Sequence, residues 1–132
     1  MVSLLSSWKN TFEIVHSELE LAKRKKQALD ELLSKNRMSQ PTYEHLVGSL
    51  NDNINDLESH LKLLIQKMTE RADELESQAE LLKQFLVSLE MRIIANEIKQ
   101  DIYEKSKQAF ELGLKATEDE LAEIKGAITK VI

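Results

Sequence analysis

Three histidines, His16, His45 and His60, are the side chains best suited to metal binding or acid–base chemistry, and they lie far apart in the sequence. Glu13 and His16 have the Glu-x-x-His spacing of di-iron helical bundles, but such a site needs a second copy of this motif and two more inward-facing glutamates. No second copy occurs. The sequence also has no cysteine, phosphate loop or nucleophile elbow. We therefore expect no catalytic residue, no metal, no cofactor and no enzyme activity.

The densest group of cations is the run Lys23, Arg24, Lys25 and Lys26. Successive residues of a helix point about 100° apart, so these four side chains cannot form one flat patch. The formal net charge of the chain is −5. Binding to nucleic acid or to an anionic membrane requires a concentrated excess of cations, so the charge does not support either association. The favoured interpretation of the run is a solvated helix face, with phosphate or lipid contact as the alternative.

An internal repeat places two pairs of polar residues 60 positions apart: Asn36 with Asn96, and Tyr43 with Tyr103. Asparagine tolerates the left-handed backbone that often ends a helix, so we expect each asparagine at the start of a turn. Pro41, the only proline, fits the first turn of the following helix. We expect both tyrosines to pack over the turns, and we favour this structural role over a binding role.

Apolar residues recur at alternating steps of three and four, which predicts three helices over about residues 4–35, 42–95 and 101–132. Linkers of five or six residues between such helices predict antiparallel returns. The expected fold is all-α: a long antiparallel coiled coil with a long central helix and a shorter helix folded back at each end, a duplicated helical hairpin.

The heptad pattern is broken once in the central helix, where Leu64, Met68 and Ala72 are separated by two successive steps of four. We expect one coiled-coil domain over residues 1–132, with repeat 1 at about 4–68 and repeat 2 at about 69–132. We favour a continuous central helix through this break. A fold back into a four-helix bundle is the alternative.

Many apolar residues remain outside the main helical seams, and a thin two-helix hairpin would leave them in water. Each exposed large apolar side chain forgoes roughly 1.5–3 kcal/mol, and contiguous apolar patches usually mark an interface. We therefore expect a homodimer or a higher assembly. The expected self-association residues are Leu61, Ile65, Met68, Ala72, Leu75, Leu81 and Phe85. Leu4, Leu5 and Trp8 are candidates for a lipid contact, and a seam position is the favoured alternative for the tryptophan.

The first residues lack the charged and apolar regions of a signal peptide, and no window of about 18 apolar residues could span a membrane. We therefore expect a cytoplasmic protein.

Several of these features occur together in one known family. Trp8 and Lys9 open a heptad, residues 28–38 read Ala-Leu-Asp-Glu-Leu-Leu-Ser-Lys-Asn-Arg-Met before Tyr43, and a second turn precedes Tyr103. This arrangement resembles the coiled-coil region of the archaeal cell-division proteins of the CdvA family, in which a leucine-rich helix leads through Ser-Lys-Gly-Glu-Ile to a tyrosine. Here Asn-Arg replaces Gly-Glu.

The resemblance implies a self-assembling coiled-coil scaffold that forms dimers or filaments at the membrane-apposed division site and supports recruitment of the ESCRT-III homologue CdvB. The implied partners are therefore a second copy of the chain and a CdvB-type protein. The family's N-terminal β-barrel and C-terminal ESCRT-III-binding peptide are not part of this sequence, so we expect an excised segment or a reduced relative. The alternative function is a helical adaptor or an ESCRT-III-like membrane- or partner-binding module of an unrelated pathway.

Overall fold

The computed structural model describes the backbone of residues 4–131 and the side chains of residues 8–131. Over this range the chain forms three helices and no strand: α1 (Leu4–Ser34), α2 (Gln40–Ile94) and α3 (Gln100–Val131). The predicted all-helical class is confirmed. The expected continuity of the central helix is also confirmed, because residues 68–72 are helical within α2. None of these helices contains a stretch long and apolar enough to cross a membrane.

The start of α2 follows from the residues around the proline. The Ser39 hydroxyl accepts a hydrogen bond of 3.3 Å from the backbone N–H of Thr42, which satisfies one donor of the first helical turn. Pro41 lies inside that turn, where its missing N–H costs no intrahelical hydrogen bond. The only proline of the chain therefore starts a helix without interrupting one.

The chain divides into two compact units, unit 1 (Met1–Gln66) and unit 2 (Lys67–Ile132), and the boundary falls within α2. Both units bury apolar residues that recur every three or four positions, so each core follows the heptad seams. The buried apolar residues of unit 1 are Phe12, Val15, Leu19, Ala22, Ile54 and Leu61. Those of unit 2 are Met68, Ala72, Leu75, Ala79, Leu89 and Ile124.

Side-chain contacts connect the helices inside each unit. In unit 1, Tyr43 of α2 contacts Asp30 of α1. In unit 2, α2 and α3 are connected by three ion pairs, an aromatic pair and two hydrogen-bonded pairs. The contacting pairs are Arg71 with Glu120, Glu76 with Lys125, Lys83 with Glu118, Gln78 with Thr117, Phe85 with Phe110, and Glu90 with Tyr103.

Candidate interaction surfaces

The first turn is closed by backbone hydrogen bonds around Asn36. This residue has a φ of 58°, in the left-handed region. Its N–H donates to the carbonyl of Leu33 at 3.0 Å, and the N–H of Arg37 donates to the carbonyl of Leu32 at 2.9 Å. These two bonds form a Schellman motif, which satisfies carbonyls at the end of α1.

The second turn repeats this geometry 60 residues later. Asn96 has a φ of 60°. Its N–H donates to the carbonyl of Ile93 at 3.1 Å, and the N–H of Glu97 donates to the carbonyl of Arg92 at 2.9 Å. The Arg92 guanidinium also forms an ion pair with the Glu97 carboxylate. The internal repeat therefore extends to the backbone conformation of the two turns.

A tyrosine–carboxylate hydrogen bond spans each turn. The phenol of Tyr43 donates to Asp30 Oδ1 at 2.5 Å, and the phenol of Tyr103 donates to Glu90 Oε1 at 2.8 Å. These hydrogen bonds, assisted by desolvation and by the negative charge of each carboxylate, raise the pKa of both phenols above the usual 10.0. The two acceptors, Asp30 and Glu90, are also 60 residues apart, so they belong to the internal repeat. The sequence pattern alone did not pair them.

Unit 2 also contains a polar layer that the seam pattern did not predict. Arg71 Nε donates to Glu120 Oε2 at 2.8 Å, and the Glu120 side chain is only 8 % exposed. The bond to Glu120 raises the pKa of the Arg71 guanidinium. Farther along the same two helices, Gln78 Nε2 donates to the buried Thr117 hydroxyl at 2.9 Å. The only signal in the sequence was Thr117, a polar residue at a seam position.

His16, the histidine of the Glu-x-x-His motif, lies on α1 with its ring stacked against Phe12 at a centroid distance of 6.1 Å. Its Nε2 is 4.0 Å from Glu20. Within residues 8–131, whose side chains are described, no three His, Cys, Asp or Glu residues are close enough to hold a metal ion.

The residues expected to mediate self-association fall into two groups. Four are buried within the chain itself: Leu61, Met68, Ala72 and Leu75. Ile65 is half-buried, and Leu81 and Phe85 are exposed at 49 % and 43 %. A second copy could therefore reach only the last three without displacing the cores. Their role in self-association stays a prediction.

The expected lipid contact falls partly outside the described side chains, which exclude those of Leu4 and Leu5. Trp8 is half-buried, and its ring packs edge-on against Phe12 at a centroid distance of 6.4 Å. The tryptophan therefore occupies the apolar seam of α1 in this structure, and lipid contact by this segment stays a prediction.

Unit 2 exposes three apolar side chains on one face of α2, and we call Val87, Met91 and Ile94 the apolar stripe. They are spaced i, i+4 and i+7, so they lie along a single face of the helix. Their exposures are 70 %, 62 % and 76 %, the last being the highest among the exposed large apolar residues described. At the equivalent positions 60 residues earlier, unit 1 has the polar residues Gln27, Glu31 and Ser34.

Unit 1 has an apolar groove of about 480 Å³ between α1 and α2, whereas the pocket that Val87 lines in unit 2 is about 190 Å³. The residues lining this groove are Lys25, Ala28, Leu29, Leu46, Ser49, Leu50 and Asn53. In unit 2, Phe85 and Phe110 occupy the positions equivalent to Lys25 and Leu50. Their rings pack at a centroid distance of 5.6 Å. An aromatic pair therefore occupies in unit 2 the positions that line the open groove in unit 1.

Residues 7–131 match the family model of the CdvA-like coiled-coil domain. This chain belongs to the CdvA-like coiled-coil family. The chain is similar to "Cell division protein A" of Sulfolobus acidocaldarius, with 23 % identity over 130 residues. The match covers 98 % of this chain and 55 % of the relative, so the chain spans about half the length of that relative. No solved structure matches the chain.

Proposed function

We propose that this chain is a self-assembling coiled-coil scaffold of archaeal cell division, which forms dimers or filaments at the division site. One observation supports self-assembly. Large apolar side chains remain exposed although the helices already bury other apolar residues, and three of the exposed ones form the apolar stripe. Exposed apolar surface of this kind usually marks an interface. Membership of the CdvA-like family supports the division part of the proposal.

The proposed building block is an antiparallel helical hairpin in each unit. The contacts of unit 2 support it, because residue numbers fall along α3 as they rise along α2. Arg71 contacts Glu120 near one end of the unit, and Glu90 contacts Tyr103 near the other. In unit 1, the bond between Asp30 and Tyr43 and the groove between Lys25 and Asn53 support the same order.

Cross-linking tests this hairpin directly, because the chain has no cysteine of its own. In the double variant Glu76→Cys and Lys125→Cys, a short bis-maleimide should link the two helices within one chain, since the Glu76 and Lys125 side chains are 2.5 Å apart. The control pairs Glu76→Cys with Lys105→Cys, which lies 20 residues or about 30 Å farther along α3. Equal intramolecular linking in both variants would refute the antiparallel arrangement.

Self-assembly is tested by sedimentation velocity and multi-angle light scattering on the purified chain at micromolar concentrations. We expect species heavier than the 15.2 kDa monomer, with a mass that increases with concentration. Negative-stain electron microscopy of the heaviest fraction would then distinguish filaments from dimers. A chain that stays monomeric throughout this range would refute the scaffold proposal.

Recruitment of a CdvB-type ESCRT-III protein is part of the same proposal, and family membership alone supports it. The test mixes this chain with a purified CdvB-type protein and follows co-elution in size-exclusion chromatography. We expect a complex if the helices take part in recruitment. Independent elution of the two proteins at micromolar concentration would remove this part and leave the self-assembly proposal intact.

A further inference from the structure

We propose that the apolar stripe of unit 2 in one copy docks into the apolar groove of unit 1 in the next copy. This inference rests on the proposed self-assembly and identifies the two surfaces that perform it. The stripe consists of Val87, Met91 and Ile94, and the receiving residues include Leu46 and Leu50.

The internal repeat provides the first argument, because the two units differ in complementary ways at equivalent positions. Lys25 and Leu50 line an open groove in unit 1, whereas Phe85 and Phe110 pack together at the same positions in unit 2. The stripe shows the opposite difference, since unit 1 has polar residues where unit 2 has large exposed apolar ones. Unit 1 therefore leaves its apolar groove unfilled, and unit 2 exposes large apolar side chains.

Shape provides the second argument. An amphipathic helix that docks into an apolar groove uses anchors at i, i+4 and i+7, and Val87, Met91 and Ile94 have this spacing. The groove has small residues on both sides, Ala28 on α1 and Ser49 on α2, which allow another helix to approach closely. The stripe can therefore lie along the groove as a third helix.

Charge provides the third argument and selects a second copy as the occupant. Lys25 is the one charged residue among those that line the groove. On α2, Glu80 lies two turns before Val87 on the same face, and Glu90, which accepts the hydrogen bond of Tyr103, lies between the stripe residues in sequence. Two cations of α2 lie near the stripe in sequence, and both have acidic partners in their own unit: the Arg92 guanidinium pairs with Glu97, and the Lys83 ammonium lies 4.0 Å from Glu118. Acidic side chains beside the stripe therefore complement the lysine that lines the groove.

The geometry of the contact determines what it builds. The stripe and the groove are different surfaces, so their contact is heterologous and leaves one free surface at each end of a dimer. Such a contact closes into a ring or continues as an open filament. Only three side chains anchor each joint, so we expect the joint to bury less surface than the roughly 800 Å² per partner of a standard stable interface. We therefore expect assembly to depend steeply on protein concentration.

The stripe is tested first with Met91→Glu, which introduces the residue that unit 1 has at the equivalent position. We expect self-association to weaken at least about tenfold, because a charge would have to be buried in an apolar groove. The matched control is Leu112→Glu, since Leu112 is 66 % exposed and Met91 is 62 % exposed in the same unit. The control should assemble like the unchanged chain. Ile94→Ser repeats the test without adding a charge.

The groove is tested by transferring the aromatic pair of unit 2 into unit 1 with the double variant Lys25→Phe and Leu50→Phe. We expect this filled groove to weaken self-association at least about tenfold although the change makes the chain more apolar. Lys62→Phe is the control, because it adds an aromatic ring to an exposed position of unit 1 outside the groove. This control should assemble at least as well as the unchanged chain. Circular dichroism establishes that each variant is folded.

A mixing experiment tests the pairing of the two surfaces. The Met91→Glu chain retains an intact groove, and the chain with Lys25→Phe and Leu50→Phe retains an intact stripe. Neither should assemble alone, but an equimolar mixture should form 1:1 dimers and nothing longer, because only one intact joint is available. Sedimentation velocity of the separate and mixed chains measures this result.

The remaining outcomes overturn the inference in distinguishable ways. If the unchanged chain assembles and the groove-filled chain assembles equally well, the groove is not the receptor. If Met91→Glu assembles normally but loses co-sedimentation with phosphatidylcholine vesicles, the stripe binds lipid and not a second copy. In both cases the proposed scaffold survives, whereas a monomeric unchanged chain would remove the scaffold and this inference together.

Discussion

Arg71 forms a bidentate contact with Glu120, in which Nε is 2.8 Å from Oε2 and Nη2 is 3.3 Å from Oε1. The two partners differ in their access to water, because the arginine side chain is 45 % exposed and the glutamate side chain is 8 % exposed. Arg71 also contacts Glu74 at 3.3 Å. Loss of the arginine would therefore leave a buried carboxylate, whereas loss of the glutamate would leave a cation with another partner and with water.

The first prediction concerns this asymmetry. Arg71→Met should lower the free energy of unfolding by about 2 kcal/mol, because it leaves the buried Glu120 carboxylate without its partner. Glu120→Gln should lower the same free energy by about 1 kcal/mol. Combining Arg71→Met with Glu120→Leu should recover most of the loss. Urea unfolding followed by circular dichroism, at one fixed chain concentration, measures all three.

An exposed ion pair provides the control for this series. Lys115 and Asp119 are 3.2 Å apart on α3, with side chains 74 % and 65 % exposed. Lys115→Met should change the free energy of unfolding by less than about 0.5 kcal/mol. Equal losses from Arg71→Met and Lys115→Met would show that burial of Glu120 does not matter for stability.

The second prediction concerns pH. The bonds to Asp30 and Glu90 raise the pKa of Tyr43 and Tyr103 in the folded chain, so the neutral phenols are favoured there. Their stabilising contribution is fully present below the unfolded pKa of 10.0 and is lost as the pH rises through the folded values. The chain has only two tyrosines, so absorbance at the phenolate band reports them cleanly. We expect titration midpoints above that of an unfolded control in urea.

Substitutions separate the two phenols. Tyr43→Phe should remove one of the two raised titrations and should make the stability above pH 10 less dependent on pH. Tyr103→Phe should do the same for the second turn, where the Lys107 ammonium lies 5.7 Å from the ring centroid and opposes the effect of Glu90. Midpoints identical to those of the unfolded chain would contradict the hydrogen bonds.

The helices could be predicted from the sequence because their signals are local and periodic. Phe12, Val15, Leu19 and Ala22 recur at steps of three and four, and all four are buried in the seam of α1. The ends of the helices could be read from Pro41 and from the asparagines of the turns, since both residue types have strong backbone preferences. The observed helix bounds therefore lie within about two residues of the predicted ones.

The contacts between helices were harder to predict because they depend on which side chains meet across a turn. Asp30 and Tyr43 are 13 residues apart, which is outside the range of helical periodicity. Glu120 is buried although glutamate usually faces water, because Arg71 of another helix neutralises it. The expected self-association set combined buried seam residues such as Leu75 with exposed ones such as Leu81, because heptad spacing alone does not distinguish a filled seam from an open stripe.

The third prediction uses burial to compare two leucines of unit 2. Leu75 is 1 % exposed, and Leu112 is 66 % exposed. Leu75→Ala should cost about 2–5 kcal/mol of unfolding free energy, because it removes buried apolar contacts and leaves a cavity. Leu112→Ala should change this free energy by less than about 0.5 kcal/mol. Similar effects of the two substitutions in urea unfolding would contradict the packing of Leu75 in the seam.

The fourth prediction concerns the left-handed asparagines of the two turns. Asn36 and Asn96 have φ values of 58° and 60°, which glycine adopts without strain and alanine adopts at a cost of about 1 kcal/mol. Asn36→Ala should therefore lower the free energy of unfolding by about 1 kcal/mol, and Asn36→Gly should leave it nearly unchanged. Alanine and glycine at Asn96 should differ in stability by the same amount, because the backbone hydrogen bonds of the second turn match those of the first.

The difference between the alanine and glycine variants is the informative quantity, because both substitutions remove the asparagine side chain. Arg37→Ala and Arg37→Gly provide the control, since Arg37 is not among the non-glycine residues with positive φ in the described part of the chain. At Arg37 the glycine variant should be no more stable than the alanine variant. Glycine gains no advantage at an ordinary backbone conformation, and it has a larger conformational entropy to lose on folding. An alanine variant as stable as the glycine variant at both Asn36 and Asn96 would show that the left-handed turns do not determine how α1 and α2 end.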